Sequence, residues 1–176
     1  MRIALVRHTP VEVAPGICYG RLDLPLAATA AEDIAGVVAR LAGFGAARIW
    51  SSPASRCRLL AEALAAATST DPVFDDRLLE LHLGDWEGRF WDDVPRTDID
   101  RWVADPLGFA APGGEAGHAL VSRVTAAFEE IAARPGDPIV VTHGGPLRIF
   151  SALGRRVPVD LLSPAPALGS VEIVEI

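Results

Sequence analysis

Three short stretches set basic and nucleophilic side chains beside residues that free the backbone. Arg7-His8 closes the apolar run Ile3–Val6. Ser51-Ser52-Pro53 closes Ala46–Trp50 and leads into Arg56. His143-Gly144-Gly145-Pro146 closes Pro138–Thr142. A guanidinium grips a tetrahedral oxyanion through paired N–H donors. An imidazole beside it can attack as a nucleophile or move a proton. Glycine lets backbone approach a ligand closely, and a proline in the first turn of a helix removes no amide that the helix would use. Together these types point to chemistry on a phosphate or carboxylate. Arg7, His8, Arg56 and His143 are the candidate reactive and binding groups, with the Gly144 amide as a further donor.

A carboxylic acid near such cations has an obvious use as a proton donor. The stretch Leu79-Glu80-Leu81-His82-Leu83-Gly84-Asp85-Trp86-Glu87-Gly88 offers two, Glu80 and Glu87. Spacing alone does not separate them. His82 and His118 read as structural or exposed. Each feature also has a plain alternative. A strand must end in something polar, a helical arginine can face water, and Gly-Gly can be a simple turn. All three strand ends being idle at once is the improbable case. Zinc is a rival use of His8, His82, His118 and His143. No pair of them has the short spacing of common zinc motifs, and Arg7 would repel a dication, so no metal is expected.

These groups meet only if the chain folds in a particular way. Ile3–Val6, Ala46–Trp50 and Pro138–Thr142 read as buried strands, and Val73-Phe74 as a short one. Ala27 to about Leu41, Ser52 to about Ala67, Glu115 to about Arg134 and Gly144 to about Leu153 read as helices. Ser52 is expected as an N-cap with Pro53 at the first helical position. Val171–Ile176 alternates apolar and acidic residues, as a half-exposed edge strand would, open to antiparallel pairing. Strands alternating with helices imply an α/β fold, a mainly parallel sheet covered on both faces. The reactive groups of such a sheet collect at the carboxyl ends of its strands. Residues 78–118 are the least regular stretch and read as an insertion over that edge.

The 176 residues suggest a single domain. The net charge is −7 and no stretch concentrates arginine, which argues against broad nucleic-acid binding. The chain contains no lysine, so any anion site must use guanidinium. Cys18 and Cys57 sit in no metal-ligand spacing and read as reduced thiols. With no leader pattern at the start and no apolar run of about 18 residues, a cytoplasmic protein that does not touch membrane is expected.

In this order and spacing the motifs resemble the histidine phosphatase superfamily, in its phosphoglycerate-mutase-like branch. The resemblance runs through Arg7-His8, Gly20-Arg21-Leu22-Asp23-Leu24-Pro25-Leu26, Ser51-Ser52-Pro53 with Arg56, and Glu80 with Gly84 and Trp86-Glu87-Gly88. It continues through Pro112-Gly113-Gly114-Glu115 and His143-Gly144-Gly145 with Arg148. Within that superfamily Gly16-Ile17-Cys18-Tyr19-Gly20 is most similar to α-ribazole-phosphate phosphatases of cobalamin assembly. Three departures stand out. Thr9 occupies the usual glycine position after the first histidine; further on, the usual glycine at the start of the first helix is replaced near Ala30 and the usual serine after Pro-Gly-Gly-Glu by Ala116.

The resemblance implies a hydrolase acting on small phosphate esters with no cofactor. His8 is the implied nucleophile. Arg7, Arg56 and a protonated His143 hold the phosphoryl oxygens, and Glu80 is favoured over Glu87 as the acid. Tyr19, Gly20, Arg21 and Trp86, with Trp91, read either as lining the pocket of a nucleoside-like leaving group or as core and rim residues. A phosphoglycerate mutase shares the pocket, though this chain is short for one. A non-catalytic phospho-ligand binder is the reading from another class. The expected assembly is a monomer or a homodimer.

Overall fold

A computed structural model describes all 176 residues. The chain runs β1 (Arg2–Arg7), α1 (Ala30–Arg40), β2 (Arg48–Ser51), α2 (Ser55–Thr68), β3 (Pro72–Phe74), α3 (Arg96–Ala104), α4 (Gly117–Ala132), β4 (Pro138–Thr142), α5 (Gly144–Arg155) and β5 (Val171–Glu175). Single 3-10 turns at 76–78, 84–86 and 91–93 punctuate the stretch between β3 and α3. The sheet order is β3-β2-β4-β1-β5. All pairs are parallel except β1 with β5. This is the expected α/β sheet, with the antiparallel strand at its edge.

The apolar strands are apolar throughout because both sheet faces are covered. Ile3 and Leu5 of β1 face Leu120, Val124 and Ile131 of α4 and Phe150 of α5. Ala4 and Val6 face Val37 of α1 and Leu60 and Leu64 of α2. At the edge, β5 buries Val174 and leaves Ile173 exposed. A third, smaller apolar cluster lies away from the sheet. There Trp86 and Val94 pack with Cys18, Ala111, Trp91, Trp102 and Phe109. It is the core of the irregular stretch. No helix is long and apolar enough to cross a membrane.

Helix starts differ from expectation, and each difference has a local cause. The helix expected from Ser52 begins at Ser55. Ser52 is not its N-cap: its hydroxyl accepts from Ala54 N at 3.3 Å and turns to His143. Arg56 therefore sits at the second helical position instead of a turn in. The helix expected from Glu115 begins at Gly117, because Glu115 is held by Arg123. Pro146 is third in α5, within the first turn as expected, where no amide has an intrahelical partner.

Candidate active site

Parallel neighbours in register end at the same edge. Arg7 pairs with Thr142, and Ser51 with Val141. The ladder runs one bond further on each side: His8 N donates to Thr142 O and Ser52 N to Val141 O, both at 3.0 Å. The residues that follow these strands are thus brought together. The rings of His8 and His143 stand edge to face with centroids 5.2 Å apart.

His8 is 2% exposed. Its Nδ1 lies 2.8 Å from the carbonyl of Thr9. A carbonyl can only accept, so Nδ1 carries the proton and Nε2 keeps a free lone pair. Burial pushes the His8 pKa down to about 3, opposed by the bond to Thr9 and assisted by Arg56 and Arg7. The ring is neutral near pH 7. Thr9 in the glycine position still supplies this carbonyl, while its own buried hydroxyl has no partner.

His143 is turned by different partners. Arg56 Nε donates to its Nδ1 at 3.3 Å, and its Nε2 lies 2.8 Å from Ser52 Oγ. Nδ1 is thus an acceptor and Nε2–H a donor. Burial, followed by Arg56 and His8, holds His143 well below the usual range. The imidazolium expected at this position is a neutral ring on the protein's own charges. A bound dianion would pull it upward.

The two arginines are fixed differently. Arg56 is 1% exposed. It donates to Leu22 O at 2.9 Å and Gly20 O at 2.7 Å, with Asp23 at 3.8 Å. Arg7 Nη1 donates to Pro166 O, but its Nε is buried without a partner. An unmade hydrogen bond from a buried cation is costly unless a ligand supplies the acceptor. A β-carbon at Gly144 would lie 3.1 Å from Ala165 Cβ and 3.5 Å from Arg7 Nη2. The glycine thus leaves the backbone pressed against the guanidinium.

Glu80 and Glu87, equivalent by spacing, are separated by geometry. Glu80 accepts from Leu81 N at 2.9 Å and from Gly145 N at 3.1 and 3.2 Å. It therefore sits at the start of α5, on the wall shared with Arg7 and His143. Glu87 accepts from Arg21 N, Leu83 N and Leu22 N at 3.0, 2.9 and 2.6 Å. Glu87 is a staple between two loops and lines neither lobe of the cleft.

The cleft has two adjoining lobes. A polar lobe of about 200 Å³ is lined by Arg7, His8, Arg56, Glu80 and His143, with Tyr19, Ile17 and Trp91. A second lobe of about 290 Å³ shares Arg7, Tyr19, Glu80 and Trp91. It adds Leu81, Leu83, Trp102, Leu120, Leu161, Leu162 and Arg148. Tyr19 therefore lines both lobes. Trp86 lines neither: it is 2% exposed and stacked on Phe109 behind the wall. Gly20 and Arg21 also stand behind it, Gly20 holding Arg56 and Arg21 bonded to Glu115. His118 is exposed and turned to Leu107 O. No cluster of His, Cys, Asp and Glu is arranged to hold a metal ion.

Sequence reading missed Trp102, Leu161, Leu162 and Arg148 as walls of the cleft. Arg148 left two signals, its place in the motif with His143-Gly144-Gly145 and its position on the helix. It lies four residues into α5, and long helical side chains lean toward the N-terminus, here toward the site. Leu161 and Leu162 fall in a stretch without period, and nothing in the chain points to them.

Residues 3–176 match the Histidine phosphatase superfamily (branch 1). Phosphoserine phosphatase 1 of Hydrogenobacter thermophilus is 30% identical over 84% of this chain and 73% of its own. The probable phosphoglycerate mutase GpmB of Escherichia coli is 32% identical over 82% of this chain and 70% of its own. Among solved structures, the α-ribazole phosphatase of Shigella flexneri superposes with a TM-score of 0.88. It covers 100% of this chain and 91% of its own at 22% identity. At that identity the likeness concerns the fold.

Proposed function

The chain belongs to the histidine phosphatase superfamily, and from that premise we propose that it is a metal-independent phosphomonoesterase working through a phosphohistidine at His8. The observation that carries this reading is a neutral His8 with Nε2 free, set beside an Arg7 whose buried Nε lacks an acceptor.

In the first step the Nε2 lone pair attacks phosphorus in line with the ester oxygen. The P–O bond breaks as the N–P bond forms. Glu80, protonated, gives its proton to the departing alkoxide. Arg7, Arg56 and the Gly144 amide stabilise the equatorial oxygens, the largest contribution expected in phosphoryl transfer, and His143 joins them by turning its Nε2–H from Ser52 Oγ to the bound phosphoryl group. In the second step Glu80 takes a proton from water, whose oxygen attacks phosphorus. The N–P bond breaks, releasing phosphate and restoring neutral His8. The positive charge comes from guanidinium, so the cycle calls on no metal.

The second lobe favours a bulky, largely apolar leaving group. Trp91 and Trp102 lie parallel, 4° apart with centroids at 6.0 Å, and Leu81, Leu83, Leu161 and Leu162 complete the wall. A benzimidazole nucleoside such as α-ribazole 5′-phosphate fits that character. The deciding experiment is a screen of phosphate esters in chelator, including α-ribazole phosphate, phosphoserine and 3-phosphoglycerate with its bisphosphate. Released phosphate supports the reading, and highest kcat/KM on α-ribazole phosphate supports its finer form. Isomerised phosphoglycerate would make the protein a mutase. Binding without release would make it a phospho-ligand binder.

A further inference from the structure

Residues 79–83, which carry Glu80, belong to no helix or strand, so their backbone groups must find partners elsewhere. Arg123 of α4 provides them. Its Nη1 donates to the carbonyls of Arg77 and Leu79 at 2.7 and 2.6 Å, and its Nη2 to that of Glu80 at 3.0 Å. Its Nε and Nη2 also donate to Glu115 at 2.7 and 2.9 Å. A guanidinium has five N–H groups, and these contacts occupy them all.

Arg21 closes the cluster from the other side. It donates to Glu80 O and Glu115 Oε2, each at 3.1 Å. Glu115 Oε2 also takes His82 N at 3.4 Å. Burial would raise the Glu115 pKa, but Arg123, then Arg21 and the His82 amide, overcome it and hold the carboxyl below its usual range. The segment is thus gripped before, at and after Glu80. None of Arg21, Glu115 and Arg123 lines the polar or the apolar lobe. The loop that carries Arg21 also holds Arg56 through Gly20 O and Leu22 O. One network therefore fixes the proton donor relative to the phosphate clamp.

We infer that Arg123, Glu115 and Arg21 are positioning residues that keep Glu80 aimed at the leaving oxygen. The inference rests on Glu80 being the proton donor, and on geometry: the carboxyl's own contacts are only the amides of Leu81 and Gly145. A misplacement of about 1 Å can cost about 100-fold in rate.

The test uses two leaving groups. An alkyl phosphate needs a proton to leave; dinitrophenyl phosphate does not. Because kcat/KM reports steps through P–O cleavage, it isolates Glu80's role as acid. Arg123→Met should lower kcat/KM for the alkyl ester roughly 100-fold and for the dinitrophenyl ester less than about 3-fold, the signature of lost acid catalysis. Arg123→Lys should not restore it, since three rotating donors cannot span the same carbonyls. Equal losses on both esters, or none on either, would overturn the inference. Glu80→Gln is the reference. If that variant lacks the selective loss, the reading of Glu80 itself has failed. If it shows the loss and Arg123→Met does not, only the positioning claim has. Thermal melting checks folding. Should Arg123→Met not fold, Arg21→Met and Glu115→Gln must show the same selectivity to a smaller degree, and a uniform loss in both would sink the proposal.

Discussion

The two walls of the cleft are built by opposite means. The phosphate side stands on the ends of β1, β2 and β4, whose ladders fix the backbone of His8 and Ser52, with the His143 ring held by Arg56 and Ser52. The leaving-group side stands on residues 76–115, which have little regular structure. It is held by side chains bonded to backbone: Arg123 to three carbonyls, Glu87 to three amides. Its apolar support is a small cluster around Trp86, separate from the sheet core. A ladder is indifferent to side-chain identity, so the strand ends are free to carry reactive groups. A side-chain staple is not, so polar residues in the insertion are committed to structure. Glu87 is committed in this way to three amides, whereas Glu80, seven residues earlier, is held through its backbone carbonyl and leaves its carboxyl on the cleft wall.

Substitutions should expose this difference. His8→Ala should bring phosphate release below detection, yet move the urea midpoint less than a change in the insertion does; near-normal turnover would remove His8 as nucleophile. Trp86→Ala should do the reverse, costing about 3–5 kcal/mol of stability. A wild-type melting curve in that variant would show that the aromatic cluster does not support the wall.

Arg56→Ala should lose at least about 100-fold in kcat/KM, the scale of one transition-state anion contact. Unchanged kinetics would place Arg56 outside the phosphate clamp. The strand-end side should also be sensitive to acid. His8 is held near pKa 3 and His143 well below its usual range, against about 6.5 when unfolded. The unfolded chain therefore binds more protons at low pH. Stability is full above about 6.5 and falls as pH drops toward about 3, by up to about 1.4 kcal/mol per unit for each ring. Urea unfolding between pH 7 and 4 should show this slope and a shallower one in His8→Gln; equal slopes would contradict it. The smallest expected effect is on the apolar wall. Trp91→Ala should raise KM for an aromatic ester roughly 2- to 10-fold, the worth of one aromatic contact, with phosphoserine unaffected.

The legibility of the chain follows the same division. Apolar runs closed by Arg-His or His-Gly-Gly disclosed the sheet, its parallel sense and the phosphate side, because ladder bonding forces period and burial onto the residues. The insertion gave only a motif match. Trp86 was open between the substrate pocket and the core and lies in the small core, since an indole looks the same in sequence whether it stacks on a ligand or on Phe109. Helix starts were misplaced where a side chain had a prior engagement, as with Ser52 on His143 and Glu115 on Arg123.

By itself, then, the sequence determined the α/β sheet and the four residues Arg7, His8, Arg56 and His143 that its strand ends and the start of α2 carry. Tertiary structure alone decided the protonation of the two imidazoles, which of Glu80 and Glu87 lines the cleft and the shape of its apolar lobe. Each of those depends on burial and on donors far away in the chain, and neither is written into local spacing.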